Sequence, residues 1–579
     1  MSLRDLQHRG ILDGLDVRFA RALGRLGGVD DPRVLLAAAL ANRAPRAGHV
    51  GIELRGAADL LSSPKEDPVE LPEPGAWEAA VVACSSLVRD PGEERRTPLV
   101  WAGGALYLDR YWDYQRRLAN AVLARVDGPA PAVDESWLRQ ALDRLFAPDP
   151  RTELQRRAAE LAVRGRLTLV VGGPGTGKTA VVVKLLALLA EQARAGGEAA
   201  PRTVLVAPTG KAAARLSESI RDNAARWLTA EQAEGLTTEA ATLHRCLGLR
   251  PGDPTPRHGA DTPLAADVVI VDEASMVDLP LMTKLFEAVP PQARLVLLGD
   301  PDQLVSVELG SVLGDLCQVS TGPLAESRVR LEHTWRYPPE SGIGALAEAI
   351  RQGDVDAALG ALEVRGDLTW VQEPPTPGDL RDALLEGYRA VLEAPEPAAA
   401  LHALRGFRVL CAHRQGRLGV SGAQAVAQHA FEEAGLVPPL PQYRGLPVMV
   451  TRNDQRLGVY NGDVGVLHPD PAADGALRLW LEQQGGGLRA VGLALVPGHE
   501  AVYATTVHKS QGSEYDHVYV LLPDQPSPLL TRELLYTAVT RARRHVTLVG
   551  RPELVAGAVR TVTRRMSGLP GLLSSAPGP

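Results

Sequence analysis

One eight-residue block, Gly172-Gly173-Pro174-Gly175-Thr176-Gly177-Lys178-Thr179, constrains this chain more than any other part of it. It fits G-x-x-x-x-G-K-[ST], follows an unbroken apolar run at 167–171 and opens a helical run at 180–189. In that context the glycines let successive backbone N–H groups converge on phosphate oxygens, and the helix adds its positive N-terminal end. Lys178 is placed for β- and γ-phosphates and Thr179 for Mg²⁺, with Gly173, Pro174, Gly175, Thr176 and Gly177 forming the cradle. A chance glycine turn would have neither the strand before it nor the helix after it.

Two further apolar strands end in polar groups. The run at 268–271 leads into Asp272-Glu273-Ala274-Ser275. Asp272 suits the Mg²⁺ shell, and Glu273 is placed to orient and deprotonate an attacking water. Alone, such an ending is weak, because helix N-termini favour acids generally; downstream of a phosphate loop it gains weight. The run at 295–298 leads into Gly299-Asp300-Pro301-Asp302-Gln303. A type I turn explains the Pro and Asp residues but not Gln303, which could sense a γ-phosphate. Strand candidates at 203–207, 294–298, 409–412 and 518–522 alternate with helical stretches from about residue 145, as parallel sheets with crossover helices require. Residues 437–500, rich in Gly, Pro and alternating apolar residues, predict a small antiparallel insertion. Before the motor-like pattern come helices at 17–26 and 32–41, a proline-rich acidic connection at 62–75, paired strands at 98–108 and a helix at 109–126.

The charge balance argues the other way from a nucleic-acid partner. Lys and Arg total 62 against 69 Asp and Glu, a net charge of −7, whereas nucleic-acid binders favour basic surfaces. The distribution is more telling than the sum. Six lysines stand against 56 arginines, and Lys178, Lys211 and Lys509 fall inside motifs, where a compact ammonium does what a planar guanidinium cannot. Four cysteines lie far apart with no C-x-x-C, so neither a disulfide scaffold nor a zinc signature is present. No apolar run reaches the ~18 residues of a membrane span, and the first residues carry no secretion pattern; a cytoplasmic protein without membrane contact is expected.

The order of the motifs carries a resemblance. The phosphate loop, Ala207-Pro208-Thr209-Gly210-Lys211-Ala212-Ala213, Asp272-Glu273-Ala274-Ser275 and Gly299-Asp300-Pro301-Asp302-Gln303 resemble motifs I, Ia, II and III of superfamily 1 helicases. Thr334-Trp335-Arg336-Tyr337 resembles motif IV, Thr506-Val507-His508-Lys509-Ser510-Gln511-Gly512-Ser513-Glu514 motif V, and Leu535-Tyr536-Thr537-Ala538-Val539-Thr540-Arg541-Ala542-Arg543 motif VI. A nucleotide held between two sheet domains needs positive charge from the far one, which makes Arg336 and Arg541 the natural arginine fingers. The plain alternatives are a surface arginine at 541 and a cation stacked on Trp335 or Tyr337 at 336. By the resemblance, ATP is the nucleotide, Gln155 reads its adenine, and Thr209, Lys211, Thr506, His508, Lys509 and Ser510 contact the DNA backbone.

Within that superfamily the chain is most similar to the RecD family, the α subunits of exodeoxyribonuclease V (RecBCD). The fuller blocks are 241–248, 271–278 and 453–463, which add His244 and Asn461 to the implied DNA contacts, and Leu106-Tyr107-Leu108-Asp109-Arg110-Tyr111-Trp112 looks like the family's RecC-contacting N-terminal domain. The resemblance covers most of 77–567 and fades before that. It implies an α/β architecture: a mostly helical partner-binding domain (1–144), a RecA-like motor domain 1A (145–330) with a short 1B insertion at about 249–266, a RecA-like domain 2A (331–436 and 501–567), an SH3-like 2B insertion (437–500) and a disordered tail (568–579). It implies a 5′→3′ single-stranded DNA translocase or helicase acting on single strands or duplex ends in double-strand break repair, with RecB-like and RecC-like subunits and the nuclease in a partner. The proline-rich 249–266 stretch fits a plain surface loop as well as a strand-separating element. A stand-alone RecD-like helicase and an RNA-directed superfamily 1 helicase share the motor motifs; the first usually carries a longer N-terminal region than this one. Replacing Lys178 with Gln is expected to abolish ATP turnover with the far-UV circular dichroism unchanged; persistent turnover would move the nucleotide site elsewhere.

Overall fold

Strands that are apolar throughout need cover on both faces, and this chain supplies it twice. The computed structural model describes residues 3–58, 70–146, 148–233, 235–250, 252–305, 308–364, 366–373, 375, 377–454, 456–483 and 487–574; part of the 62–75 connection therefore lies outside the described residues. Leu167–Gly172, Val268–Val271 and Arg294–Gly299 are buried almost without interruption. They belong to a six-stranded, wholly parallel sheet in the order Arg328–Leu331, Leu167–Gly172, Arg294–Gly299, Val268–Val271, Thr203–Ala207, Ala240–Thr242. Helices Glu153–Arg164, Lys178–Ala195 and Gly210–Trp227 close one face around Val170, Ile270 and Leu298; the other face packs on Leu285, Phe286 and Leu316.

A second parallel sheet follows the same rule, in the order Leu368–Val371, Ala542–Val549, Tyr515–Leu521, Phe407–Cys411, Ala504–Thr506. Between its last two elements in that order, the chain leaves to build the antiparallel insertion. Five strands pair as Leu488–Val491, Ala476–Glu482, Val464–Asp470, Pro447–Val450, His499–Ala501. The insertion is not a separate body: Val448, Leu467 and Leu479 share one core with Phe407, Tyr503 and Tyr519 of the second lobe. The described part of 249–266 is turns and bends, with an isolated bridge between Arg250 and Asp253.

The N-terminal region is helical around a four-stranded sheet, Gly51–Glu53, Ala105–Leu108, Leu99–Ala102, Val88–Arg89. Its long helix, Asp109–Val126, lies against Leu279–Ala288 of the first lobe, where Arg125 donates to the carbonyls of Ala293 and Val289. No helix among the described residues is long and apolar enough to cross a membrane.

The tail departs from expectation. Residues 568–574 are ordered, and Leu569–Ser574 is a helix with Leu569 and Leu573 buried beside Tyr107, Trp112 and Leu316. The preceding strap is bonded at each step: Val50 N donates to Met566 O (2.8 Å), Gly568 N to Gln115 Oε1 (2.7 Å), and Arg565 Nη1 to Gly310 O (3.0 Å). Two leucines spaced by four on a short helix were the available signal; the surrounding Ser, Gly and Pro obscured it. Residues 575–579 lie outside the described residues.

This junction encloses Asp315, 3% exposed, whose carboxyl burial pushes up to about 7, partly offset by a hydrogen bond with Ser567. Because the folded value exceeds the unfolded 3.8, the protonated acid stabilises fully below about pH 4, and that contribution is lost as pH rises through 7. Asp315→Asn is therefore expected to resist urea better than the parent at pH 8, with the advantage shrinking toward pH 4. A pH-independent difference would remove Asp315 as the cause.

Candidate nucleotide site in the interlobe cleft

Parallel sheets place all their strand C-termini on one edge, and here both edges border a cleft of about 2130 Å³. The phosphate loop sits at the C-terminal end of the Leu167–Gly172 strand. Gly175 and Gly177 hold φ of 78° and 89°, a left-handed conformation in which a side chain would be strained. Gly175 has a second reason: a Cβ there would stand 2.5 Å from Arg336 Cβ. The loop is tied down from both sides. Thr176 Oγ1 donates to Gly173 O (2.9 Å), Gln155 Nε2 to Thr176 O (2.9 Å) and Trp335 N to Gly175 O (2.8 Å), while Lys178 Nζ donates to Gly172 O (2.6 Å) and Gly173 O (3.0 Å). Pro174 O accepts from Thr334 Oγ1 (3.4 Å), and Thr179 faces the cleft at the start of the helix.

Gln155 is 6% exposed, so it is not a solvated helix residue. Beside it lies an aromatic face that sequence reasoning weighed only as a stacking partner for Arg336. Trp335 is 46% exposed, meets His333 edge-on at 4.5 Å and carries Arg151 over its ring at 5.2 Å. An exposed indole next to a glutamine amide offers stacking and hydrogen bonding to a planar base. Arg336 does not stack on Trp335; its guanidinium lies 6.0 Å from the Tyr337 ring centroid.

At the acidic edge, Asp272 Oδ1 accepts from Glu273 N (2.9 Å). Burial first, then the neighbouring Glu273, pushes the Asp272 carboxyl up to about 6, against the pull of Lys178. Glu273 itself has φ of 52°, a left-handed position rare for a side-chain-bearing residue and costly by about 1–3 kcal/mol. The strain turns the chain sharply at the strand end and keeps both carboxylates in the cleft. The adjacent strand ends at Asp300, which is 1% exposed and accepts from Gln303 Nε2 (2.9 Å) and Tyr536 Oη (3.2 Å).

The second lobe reaches this edge through the helix Arg532–Val539 and the strand after it. Arg541, 3% exposed, donates from Nη2 to Gln303 Oε1 (3.0 Å), from Nε to Thr537 O (3.1 Å) and from Nη1 to Ser513 O (3.3 Å). It is not a surface arginine. Arg336 Nη1 donates to Thr540 O (3.0 Å), and its Nη2 pairs with Glu514. Glu514 also receives Arg215 (2.9 Å) and Arg543 (3.0 Å). Burial favours its neutral form, but Arg215, Arg336, Arg541 and Arg543 outweigh that and hold its carboxyl far below the usual carboxylate range. Glu514 was legible only as the last residue of the block resembling motif V, and Arg215, two residues past the block resembling motif Ia, was not singled out; nothing in spacing shows that they meet. Arg544, by contrast, is a surface residue loosely paired with Asp516 at 3.8 Å.

The residues expected to meet a nucleic-acid backbone divide into two groups. Thr209 caps the helix Gly210–Trp227 by accepting from Ala212 N (3.2 Å), and His244 is exposed just past the neighbouring strand Ala240–Thr242. Asn461 is exposed on a loop where Asn453 Oδ1 accepts its N–H (2.7 Å). Thr506 Oγ1 accepts from Lys509 N (3.3 Å), Lys509 is exposed and paired with Glu500 (2.7 Å), and His508 is half-buried, its pKa lowered by burial and by Arg565. These are strand ends and loops open to solvent. Two others are not so placed. Ser510 is fully buried and donates its hydroxyl to Val507 O (2.7 Å). Lys211 is recessed between the lobes and donates to Ser513 Oγ (2.6 Å), because the first turn of its helix points it across the cleft.

The loop, the acidic strand ends and the guanidiniums of a second sheet define a two-lobed P-loop nucleotide-binding protein. Family models match accordingly: an AAA domain over residues 155–309, a UvrD-like helicase C-terminal domain over 501–549, and the N-terminal domain of RecBCD enzyme subunit RecD over 8–107. RecBCD enzyme subunit RecD of Mycobacterium tuberculosis (strain ATCC 25618 / H37Rv) is 43% identical over 98% of this chain and 96% of its own. That of Haemophilus influenzae is 32% identical over 86% and 84%. The chain belongs to the RecD family. The ATP-dependent RecD2 DNA helicase of Deinococcus radiodurans is 33% identical over 76% of this chain but only 54% of that protein. The likeness does not fade before residue 77: the N-terminal model begins at residue 8, where Ala- and Arg-rich helices had masked it.

Gly175→Ala tests the loop's packing. A methyl at φ 78° and 2.5 Å from Arg336 Cβ is expected to lower stability by about 1–3 kcal/mol, seen as an earlier first transition in urea. An unshifted transition would mean the phosphate loop and the segment carrying Arg336 are free to part.

Proposed function

We propose that this chain is an ATP-dependent 5′→3′ single-stranded DNA translocase and helicase, the motor subunit of a RecBCD-type helicase–nuclease serving double-strand break repair in the cytoplasm. The observation that carries the reading is the Arg541–Gln303 bond (3.0 Å), which joins a guanidinium of one lobe to the γ-phosphate-sensing position of the other. ATP hydrolysed between the lobes would make and break that link, and so move one lobe against the other. Family membership over nearly the full length of the chain supports RecB-like and RecC-like partners.

The roles follow from position. Gly173, Pro174, Gly175, Thr176, Gly177 and Lys178 hold the phosphates, while Gln155 and the Trp335 face take the adenine. Thr179 and Asp272 would hold Mg²⁺, and the donor set fits a divalent cation: a hydroxyl and a recessed carboxylate, with the second carboxylate of Glu273 beside it. The ion would supply charge neutralisation at the phosphates. Glu273 orients the water and accepts its proton. Arg336 and Arg541 stabilise the transferring phosphoryl group, a contribution on the order of 10³–10⁵ in rate. Thr209, His244, Asn461, Thr506, His508 and Lys509 form the accessible set for the DNA backbone, with Lys211 and Ser510 left to hold the elements that carry them.

The purified full chain is expected to hydrolyse ATP faster with single-stranded DNA than without it, and better than with RNA. It is expected to unwind a duplex bearing a 5′ tail in preference to a 3′ tail. Glu273→Gln is expected to reduce kcat by about 10²–10⁴ with ATP still bound. A chain that ignores every nucleic acid would sink the translocase reading, and failure to co-purify with RecB-like and RecC-like subunits would sink the assembly.

A further inference from the structure

Arg215 lies on the helix Gly210–Trp227, away from the phosphate loop and outside every residue assigned a role above. It nonetheless spans the cleft. Its Nη1 donates to Gly512 O, and its Nη2 lies 2.9 Å from Glu514 Oε1. Arg336 Nη2 donates to that same Oε1, while Arg543 takes Oε2 (3.0 Å). Two guanidiniums from different parts of the chain therefore compete for one carboxylate oxygen. Lys211, one turn earlier on the same helix, makes a parallel bond to Ser513 Oγ, so the register of this helix against 512–514 is fixed at two points.

The competition has a direction. Arg336 and Glu514 side chains are only 13% and 16% exposed. An arginine leaving that pair for a phosphate would strand the Oε1 side of a poorly solvated carboxylate, which Arg543 on Oε2 does not cover, unless another cation stays on it. Arg215 is that cation on Oε1. Resting on the function proposed above, we propose that Arg215 is a positioning residue for ATP hydrolysis: by sharing Glu514 Oε1 it lets Arg336 turn to the phosphates without leaving that oxygen unpaired. Without Arg215, Glu514 keeps Arg336; without Glu514, Arg215 has no carboxylate to compensate.

The two substitutions therefore interact in a way that simple loss of packing would not produce. In the full-length chain with single-stranded DNA, Arg215→Ala is expected to lower kcat on the order of tenfold while KM for ATP changes by less than about threefold. Arg215→Lys, which keeps a cation at Oε1, is expected to recover most of the loss. Adding Glu514→Gln to Arg215→Ala is expected to raise kcat above that of the single Arg215→Ala variant, since a neutral amide releases Arg336. Should Arg215→Ala not fold, Arg215→Lys against Arg215→Gln carries the same comparison, and a glutamine as active as the lysine overturns the inference. So does an unchanged kcat in Arg215→Ala, or a double variant no faster than the single one, provided the unsubstituted chain hydrolyses ATP. No hydrolysis by the unsubstituted chain overturns the function reading and this inference with it.

Discussion

A parallel sheet delivers every strand C-terminus to the same edge, and nearly everything in this molecule follows from two such edges facing one another. In the first lobe, adjacent strands end at Gly172, Gly299 and Val271, so the phosphate loop, Asp300 and Asp272 come together without any contact between them in sequence. The apolar strands are free to be uniformly buried because helices cover both faces. All polar chemistry is thereby pushed to the edge, the one place where the backbone leaves the sheet and polar groups can remain hydrated or find partners.

The two lobes meet largely through polar groups, although Leu304 of the first lobe is buried in the apolar core of the second. Arg541 on Gln303, Tyr536 on Asp300 and Gln511 on Leu304 O span the contact. Buried polar pairs of this kind add little net stability, because desolvation offsets most of the attraction, but they are demanding about alignment. An interface of that type can be reset when a ligand changes one partner. The N-terminal region differs: it shares one apolar core with the first lobe, and the strap 565–568 sews the end of the second lobe to both. Motion between the lobes is thus bounded by a covalent chain that leaves one lobe and docks on the other.

Much of this was legible in the sequence, for definite reasons. Strand–loop–helix order around Gly172–Thr179 is set by local chemistry, so the loop, the acidic strand end and the motif arginines stood out, and the insertion was visible from its alternating pattern. What sequence hid was reach. Lys211 and Ser510 sit in blocks whose resemblance implies contacts with the DNA backbone, yet helix phase turns one across the cleft and a tight turn buries the other. Glu514 gains meaning only from three arginines that are distant in sequence. The tail helix was lost because two buried leucines in a Gly/Pro/Ser setting give too short a period to read.

The sparse lysines then take on a different sense from the one their motif membership suggested. Lys178 and Lys211 are recessed, bonded to backbone or hydroxyl oxygens, and Lys184, 6% exposed, lies 4.2 Å from the Phe146 ring and 5.0 Å from Trp227. Each occupies a place where a single compact charge fits and a five-donor fork would leave donors unpaired. Arginines meanwhile supply the interlobe cluster, where several donors are needed at once. A net charge of −7 therefore says little about the cleft, where Arg215, Arg336, Arg541 and Arg543 surround one carboxylate. That local excess of positive charge suits a polyanion of phosphates arriving between the lobes.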